Sequence, residues 1–362
     1  MKKRMLYLSH VDWNWIKQRP HFLAEELSRV YDIKVLYAFK NSARGTLQKQ
    51  NDASISISPL YYVPFSGRVP ILGVLADCLL RLQFRYHLKK HDPEIVFLTY
   101  PTQVKMIPEN FTGAVIYDCM DNHYAMTHNA NIKNNIMKWE RVLLERANLV
   151  LVSSERLKGV LLERYGYNID EKLILIRNGY SGHVLKNTDD WEEQTKKVFE
   201  IAYFGTVSHW FNFDFLLRSL DDFPNLQYKI IGPAEVVVQK VDRIEYLGTV
   251  EHEQLFSKIK NSNALIMPFV INEVIESVDP VKLYEYINFE KNIITIRYAE
   301  IERFEPFVHF YTDYDSYRTC ITDLMQDNTL KYSYEQKISF LEKNTWNSRV
   351  KAIVDELERR HL

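Results

Sequence analysis

A short segment near residue 280 combines a predicted helix start with two charged side chains that suit an anionic ligand. Asp279 and Pro280 have the pattern of an N-cap residue followed by proline at the first helical position, so a helix is predicted to begin at Pro280. Lys282 and Glu285 then share one face of this helix. Helix N–H groups and an ammonium group favour a diphosphate, and a carboxylate about 7 Å along the axis is placed for ribose hydroxyls. A solvated Lys–Glu pair is the alternative reading.

Polar side chains also follow two predicted strands in the first half of the chain. Asp121, followed by Asn122, comes after a buried strand and is the best candidate for a general base or a ligand of an acceptor hydroxyl. His10, Asp12 and Arg19 follow the first strand, and Arg19 suits a phosphate or a carboxylate. Capping of the next helix is the alternative role for Asp121, and capping or packing is the alternative for His10, Asp12 and Arg19.

Other motifs that could carry chemistry are weak or missing. Asp313-Tyr314-Asp315 has the D-x-D spacing of some metal-dependent transferases, but it opens a predicted late helix with Asp315 as its N-cap, and we predict no essential metal. Phosphate-binding loops of the G-x-x-x-x-G-K type and zinc spacings do not occur. Cys78, Cys119 and Cys320 are too few and too scattered for a disulfide framework, which fits a reducing cytoplasm. No nucleic-acid partner is expected.

The elements that must position these residues alternate between short apolar strands and amphipathic helices. Most strands are continuously apolar, as expected for parallel strands buried on both faces. The predicted strands are residues 5–9, 33–38, 95–99, 114–118, 149–153 and 173–177, then 201–204, 228–231, 244–247, 264–267 and 293–296. This order predicts two doubly wound, Rossmann-like α/β domains.

The chain of 362 residues is long enough for two such domains. We predict a first domain at 1–184, a polar linker at 185–198, a second domain at 199–345 and a final helix at 346–362 that packs back across the junction. The two sheets are expected to face a central cleft at their carboxyl ends, where open α/β sheets bind ligands.

The order of motifs along nearly the whole chain resembles the group 1, family 4 type glycosyltransferases of the GT-B fold. In the second half the similar segments are 202–212, 230–233, 246–250, 266–269 and 279–286. Segments of the first half are similar to transferases of teichuronic acid and capsular polysaccharide synthesis, namely 12–13, 17–21, 116–122, 145–154 and 176–179.

This resemblance implies roles for individual residues. Glu285 would bind the donor ribose, Lys282 the diphosphate, and Gly205 and Thr206 would approach the phosphates. Backbone near Gly248 and Val250 would bind the base. The predicted donor-nucleotide site comprises Gly205, Thr206, Trp210, Gly232, Gly248, Val250, Phe269, Pro280, Lys282, Leu283 and Glu285. Trp210 can equally be an ordinary packed aromatic.

Two positions depart from the family pattern. An acid that many relatives carry eight residues before the Glu285 position is Ser277 here, and Glu273 or Glu276 could replace it only after a rearrangement of the loop. The glycine usual after this helix is Glu290, so a different turn is expected there.

The sequence thus predicts a metal-independent hexosyltransferase without a further cofactor. It would move a sugar from a nucleoside diphosphate donor, UDP-linked in preference to GDP-linked, to a hydroxyl of a lipid-linked glycan in cell-surface polysaccharide synthesis. Retention of anomeric configuration is expected. The alternatives are an inverting transferase with Asp121 as base and a non-catalytic partner subunit that binds a nucleotide or glycan.

A basic amphipathic helix predicted at 69–91 suggests how such a protein would meet its acceptor. Residues 1–180 have a net charge of +8 and residues 181–362 one of −9, so the first half suits an anionic partner. The helix has apolar side chains together with Arg81, Arg85, Lys89 and Lys90, as do helices that lie on anionic membranes. A core-facing helix with a solvated basic face is the alternative. We predict a cytoplasmic protein, peripheral at the inner face of the plasma membrane.

Overall fold

The computed structural model describes residues 2–15, 17–39, 55–62, 70–182, 184–185 and 198–362. The chain divides into two compact units. Unit 1 contains Met1–Asn178 together with Trp346–Leu362, and unit 2 contains Gly179–Thr345. Most of the predicted linker lies outside the described residues.

Unit 1 is built on a parallel sheet of seven strands in the order β3-β2-β1-β4-β5-β6-β7. The strands are β1 Arg4–Ser9, β2 Asp32–Phe39, β3 Ser56–Tyr61, β4 Ile95–Leu98, β5 Ala114–Cys119, β6 Leu149–Val152 and β7 Leu173–Leu175. Its helices are α1 Arg19–Leu27, α2 Pro70–His91, α3 Ala130–Arg146 and α4 Glu155–Tyr165, with short 3-10 helices at Pro101–Met106 and Tyr167–Lys172. The fully buried strands β4 and β6 consist of apolar residues only, because both faces of the sheet are covered.

Unit 2 has a parallel sheet of six strands in the order β10-β9-β8-β11-β12-β13. The strands are β8 Phe199–Phe204, β9 Leu226–Ile231, β10 Ile244–Gly248, β11 Ala264–Met267, β12 Asn292–Ile296 and β13 Val308–Tyr311. Its helices are α5 Phe213–Asp222, α6 His252–Ile259, α7 Val281–Asn288, α8 Tyr314–Gln326 and α9 Tyr334–Lys343, with 3-10 helices at Ile275–Ser277 and Ala299–Phe307.

The last helix, α10 Trp346–Arg359, returns to unit 1. The Trp346 ring stacks on Phe22 of α1 at 5.3 Å and 13° between planes. Each unit has its own hydrophobic core. The core of unit 1 surrounds β1, β4, β5 and β6, and that of unit 2 surrounds β8, β9, β11 and β12.

The predicted α/β class with two parallel sheets is confirmed. Two strands were missed, β3 and β13, and both lie at the edge of their sheet. β3 contains Pro59, which the sequence pattern excludes from a central strand but an edge strand tolerates, because one of its sides needs no ladder hydrogen bonds.

Each sheet has one place where the strand order reverses direction. In unit 1 it lies between β1 and β4, and in unit 2 between β8 and β11. Loops leave the sheet there toward opposite faces, so a crevice forms at the carboxyl ends of the two strands. Open α/β sheets bind their ligands in this crevice, so site residues are expected to lie near it.

Candidate functional site

Lys282 lies against the loop that follows β8 in unit 2. Gly205, the first residue after that strand, has φ 139°, and a Cβ at this position would overlap Cε of Lys282. Only glycine both accepts this backbone conformation and leaves room for the lysine stem. The predicted pair of Gly205 and Lys282 is therefore in contact at the switch point of the second sheet.

The Lys282 ammonium group lies among aromatic rings rather than carboxylates. Its Nζ is 5.7 Å from the ring centre of Tyr203 and 5.5 Å from that of Phe269. It forms no hydrogen bond or ion pair with any residue that the structure describes. Burial lowers the pKa of Lys282 to about 8, and the Glu285 carboxylate opposes this shift. A cation that has no ion pair or hydrogen bond among the described residues, and only this longer-range attraction to Glu285, suits an anionic ligand.

Glu285 lies one helical turn after Lys282 on α7 and is half-buried. Its negative charge partly offsets the lowering of the Lys282 pKa by burial. Burial raises the pKa of Tyr180, and the Glu285 charge raises it further. The carboxylate and the ammonium group thus occupy one face of the same short helix, as the sequence predicted.

The start of this helix differs from the prediction by one residue. Pro280 is the N-cap, with φ −81° and ψ 114°, and Val281 is the first helical residue. Asp279 does not cap the helix as predicted, because its fully buried carboxylate forms an ion pair and hydrogen bond with Arg303. Arg303 also donates to the Tyr284 hydroxyl at 2.7 Å, which ties the helix to the segment 299–307.

Three glycines with positive φ end the adjacent strands β8, β9 and β10. Gly205 N–H donates to Ile231 O at 2.8 Å, and Gly232 N–H donates to Gly248 O at 2.7 Å. A Cβ on Gly232 would overlap Gly205 O, whereas one on Gly248 would meet open space. Gly205 therefore leaves room for the Lys282 side chain, and Gly232 allows the close approach of two strand ends. At Gly248 a glycine is favoured only because the backbone is left-handed.

The remaining predicted donor-site residues are divided between loop and core. Thr206 and Val250 are half-buried in the loops after β8 and β10. Trp210 packs on the core of unit 2 with its ring 4.9 Å from His209, as in the alternative reading of a packed aromatic. The Leu283 side chain is fully buried in that core. Its place in the first turn of α7 leaves only its backbone to face a ligand, and the predicted contact of Leu283 with the donor nucleotide stays a prediction.

Both departures from the family pattern have a structural counterpart. Ser277 is buried, and its hydroxyl donates to Glu273 O at 3.0 Å. Glu290 has φ 50°, a left-handed conformation that is uncommon for residues other than glycine. The fully buried Lys337 binds the Glu290 carboxylate at 2.7 Å and donates to Leu185 O at 2.7 Å.

In unit 1, Asp121 follows β5 with a half-buried carboxylate that forms no hydrogen bond among the described residues. Burial raises its pKa to about 6, the Arg19 charge lowers it, and Asp118 raises it. A carboxylate with this pKa and no fixed partner has the properties of a general base.

Arg19 does not reach a ligand as predicted. Its guanidinium group is buried and donates to both oxygens of Asp118 at 2.8 to 3.0 Å, to Ile176 O at 2.7 Å and to Asn178 Oδ1 at 3.2 Å. This network links α1 to the ends of β5 and β7. The prediction of a phosphate- or carboxylate-binding Arg19 is wrong, because the group is occupied inside the protein.

Asp12 and Asn122 stabilise turns. Asp12 Oδ1 accepts from the Asn14 backbone N–H at 3.0 Å, and Asn122 Oδ1 accepts from Ala125 N–H at 3.3 Å and from Arg164 at 3.2 Å. For Asp12 this is the capping role of the alternative reading, and the binding of an acceptor by either side chain stays a prediction.

His10 belongs to a cluster of rings that the sequence did not reveal. Its ring centre is 5.4 Å from Tyr100 and 5.3 Å from His123, and the latter two rings are 4.7 Å apart. The three residues follow β1, β4 and β5. Their spacing of about 90 and 20 residues carries no periodic signal, so only the order of strands could have brought them together.

The D-x-D motif is a helix start, as predicted, with a different cap. Asp313 rather than Asp315 is the N-cap of α8, and it accepts from Ser316 N–H at 2.8 Å. Asp315 lies in the first turn. Among the described residues, no group of three or more His, Cys, Asp or Glu side chains is placed to hold a metal ion.

Helix α2 presents a broad exposed face. We call this face the α2 surface, and it comprises Val74, Leu75, Leu79, Leu82 and Tyr86 together with Arg81, Arg85, Lys89 and Lys90. The opposite side buries Ala76, Leu80 and Phe84. The helix thus has a core-facing side and a second apolar side that is exposed and basic. In the part of the chain that the structure describes, no helix is both long and apolar enough to cross a bilayer.

Comparison with known proteins identifies the fold. The chain is similar to a sucrose-phosphate synthase from Thermosynechococcus elongatus, with a TM-score of 0.73, 13% identity and 99% of both chains covered. It is similar to Anabaena HepE, which was solved with UDP and glucose, with a TM-score of 0.72 and 12% identity. That comparison covers 98% of this chain and 99% of HepE. It is also similar to the lipopolysaccharide outer core galactosyltransferase WaaB, with a TM-score of 0.67 and 14% identity. That comparison covers 98% of this chain and 100% of WaaB.

These similarities show that the chain has the fold of GT-B glycosyltransferases, two parallel-sheet α/β domains. No protein-family model matches the sequence, and no curated protein matches it as a sequence relative. The closer resemblance to teichuronic acid and capsular transferases stays a prediction.

Proposed function

We propose that the protein transfers a glycosyl unit from a nucleoside diphosphate sugar, UDP-linked in preference to GDP-linked, to a hydroxyl of a lipid-linked glycan in cell-surface polysaccharide synthesis. The observation that carries the proposal is the environment of Lys282. Its partly buried ammonium group forms no ion pair or hydrogen bond among the described residues, and its stem lies against Gly205 at the switch point of the second sheet. The fold shared with glycosyltransferases supports it, and so does HepE, which was solved with UDP and glucose.

In this proposal the donor diphosphate lies between the loop after β8 and the start of α7. Lys282 and the first N–H groups of α7 stabilise the negative charge that develops on the leaving diphosphate. Glu285, one turn further along, accepts hydrogen bonds from the ribose hydroxyls. The aromatic surroundings of Lys282 keep water away, which strengthens the interaction of the ammonium group with the phosphates.

Binding of nucleotides is the first test. Thermal unfolding would be followed with UDP, GDP and ADP, and then with the corresponding sugar nucleotides. A ligand that binds only the folded state raises the midpoint temperature as its concentration rises. We expect a shift with UDP that Lys282→Met strongly reduces at the same UDP concentration. The control variant Lys258→Met, at an exposed position of α6, should leave the shift unchanged. Equal shifts in both variants would contradict the assignment of Lys282.

Retention of configuration is expected from the resemblance, but one observation favours an inverting reaction. The Asp121 carboxylate has a pKa raised to about 6 by burial and no hydrogen bond among the described residues, as a base for an acceptor hydroxyl requires. Proton NMR couplings of the product's anomeric centre distinguish the two outcomes. Nucleotide binding without turnover for any donor and acceptor would instead identify a non-catalytic partner subunit.

The α2 surface supports a location at the cytoplasmic face of the plasma membrane. Its apolar side chains can enter the interface between headgroups and acyl chains, while Arg81, Arg85, Lys89 and Lys90 meet anionic headgroups. This placement brings unit 1 to the membrane in which a lipid-linked acceptor resides.

A further inference from the structure

The two central strands of the second sheet, β8 and β11, pair along only part of their length. Registered pairing between them ends at Ala202 and Leu265. Both strands continue beyond this point, to Phe204 and Met267, where each stays paired with its outer neighbour. The two strands therefore separate toward their carboxyl ends, at the place where the strand order reverses.

The hydroxyl group of Tyr286 on α7 bridges the two strands where their pairing has ended. It accepts from Phe204 N–H at 3.3 Å and donates to Ile266 O at 3.0 Å, with a longer contact of 3.4 Å to Phe204 O. The Tyr286 side chain is fully buried, and its ring centre lies 4.6 Å from that of Phe204. Buried backbone groups need hydrogen-bond partners, and here a helix supplies them in place of the neighbouring strand.

This bridge lies close to the residues assigned to the donor. Tyr286 is one helical turn after Lys282, so the two side chains extend from the same side of α7. Lys282 lies against Gly205 and near the Tyr203 ring, which belong to β8 and the loop after it. The Tyr203 hydroxyl holds that loop by donating to Thr206 O at 2.7 Å. Because the loop is held in this way, the fit of Lys282 against Gly205 depends on where α7 lies relative to β8.

We propose that Tyr286 is a positioning residue for the donor nucleotide: its hydroxyl fixes α7 to the ends of β8 and β11 and so places Lys282 and Glu285. This inference rests on the proposed function for the identity of the ligand. A phenylalanine at this position keeps the ring in the core and removes only the hydroxyl, so Phe204 N–H and Ile266 O lose their bridge to α7. A role in packing alone would predict a loss of stability without a specific effect on the nucleotide.

The test compares Tyr286→Phe with a matched tyrosine variant in the same core. Tyr317 on α8 is also fully buried, and its hydroxyl is hydrogen-bonded to that of Tyr228 on β9. Its ring contacts lie on α5, β13 and α8. Tyr286→Phe and Tyr317→Phe therefore each remove one buried, hydrogen-bonded hydroxyl. UDP affinity is measured by calorimetry at pH 7 on the full chain, and stability by thermal unfolding without ligand.

We expect Tyr286→Phe to lower UDP affinity about fivefold or more, and Tyr317→Phe to leave it within about twofold of the unmodified protein. Both variants should melt at a somewhat lower temperature, because each loses a buried hydrogen bond. The melting curves also show that both variants are folded. The difference in affinity at a similar loss of stability separates positioning of the ligand-binding helix from packing.

A double-mutant cycle shows whether Tyr286 acts through Lys282. Two residues that act together have effects that do not add. In a Lys282→Met background, Tyr286→Phe should therefore change UDP affinity by about threefold or less, the remaining effect acting through Glu285. Full additivity of the two losses would overturn the positioning of Lys282 by Tyr286.

Two further results would overturn the inference and leave the proposed function intact. One is a UDP affinity of Tyr286→Phe within about twofold of the unmodified protein, and the other is an equal loss of affinity in the two tyrosine variants. Absence of UDP binding by the unmodified protein would overturn the proposed function and this inference together.

Discussion

At the residue scale, the chemistry of Lys282 depends on what surrounds its ammonium group. Two aromatic rings at 5.5 and 5.7 Å and a glycine under its stem partly desolvate a cation that an exposed helix position would leave in water. The pKa of about 8 is the result, since burial disfavours the charged form more than Glu285 favours it.

This pKa predicts how donor binding depends on pH. Lys282 is charged below about pH 8 and loses its proton above it, so UDP affinity should be constant from pH 7 to 7.5 and fall toward tenfold per pH unit above pH 8. Lys282→Met should lower the affinity about 10- to 100-fold at pH 7, the loss expected for a charge-assisted hydrogen bond. It should also remove the pH dependence. Calorimetric titrations from pH 7 to 9.5 measure both effects, and an unchanged profile in Lys282→Met would show that another group titrates.

Asp121 gives a second prediction at this scale. Its pKa of about 6 lies above the ordinary value, so the base form is lost below pH 6 and the transfer rate should fall there. Asp121→Asn should lower kcat about 100- to 10,000-fold if the carboxylate is the base. Ionising a carboxyl group with a raised pKa costs stability above pH 6, so the variant should be no less stable at pH 7. Near-normal turnover in a folded Asp121→Asn protein would exclude the base role and favour retention.

At the scale of elements, α7 is an eight-residue helix that is fixed at both ends. Before its start, the buried Asp279 carboxylate is bound by Arg303, and after its end Glu290 is bound by Lys337. Asn288 in its last turn accepts from Leu185 N–H at 2.9 Å. A helix this short is marginal by itself, so these contacts and the burial of Leu283 and Ile287 hold Lys282 and Glu285 in place.

Removing one of these contacts should therefore destabilise unit 2. Arg303→Ala leaves the fully buried Asp279 carboxylate without its cation and should lower the free energy of unfolding by about 3 kcal/mol. Arg297→Ala breaks the exposed ion pair with Glu302 in the adjacent segment and should change the free energy of unfolding by less than about 1 kcal/mol. Urea unfolding of both variants tests this. A combined Asp279→Asn and Arg303→Ala protein should recover part of the loss, and equal effects of the two single arginine variants would refute it.

At the scale of the whole molecule, charge is divided between the two halves of the chain, +8 in residues 1–180 and −9 in residues 181–362. The α2 surface adds an exposed apolar face to the basic half. These features together favour attachment of unit 1 to an anionic surface, because each basic side chain near such a surface contributes about 1 kcal/mol.

Vesicle binding tests this attachment. We expect the protein to co-sediment with vesicles that contain anionic phosphatidylglycerol, to bind zwitterionic vesicles weakly, and to dissociate as salt is raised. Arg81→Glu with Arg85→Glu should abolish binding. Arg141→Glu with Arg156→Glu makes the same change of charge at exposed positions of α3 and α4 and should have a much smaller effect. Equal losses in the two double variants would indicate a response to net charge alone.

The sequence by itself determined the α/β class, the two parallel sheets, and the place of Lys282 and Glu285 on one helix face. These depend on local patterns, namely continuous apolar strands, the spacing of three along a helix, and a proline near its start. Prediction from sequence failed where the partner of a side chain is distant in the chain. Asp279 was predicted to cap a helix, but its carboxylate binds Arg303. Arg19 was predicted to bind an anionic ligand, but its guanidinium group binds Asp118.

The tertiary structure alone decided which polar groups are already occupied and which are not. Arg19 and Lys282 are both cations in predicted site segments, yet one is bound by a buried carboxylate and the other lies among aromatic rings. The ring cluster of His10, Tyr100 and His123 likewise exists only because β1, β4 and β5 are neighbours in the sheet. The physical reason is that burial and pairing depend on contacts between residues distant in sequence, while helix and strand patterns depend on near neighbours.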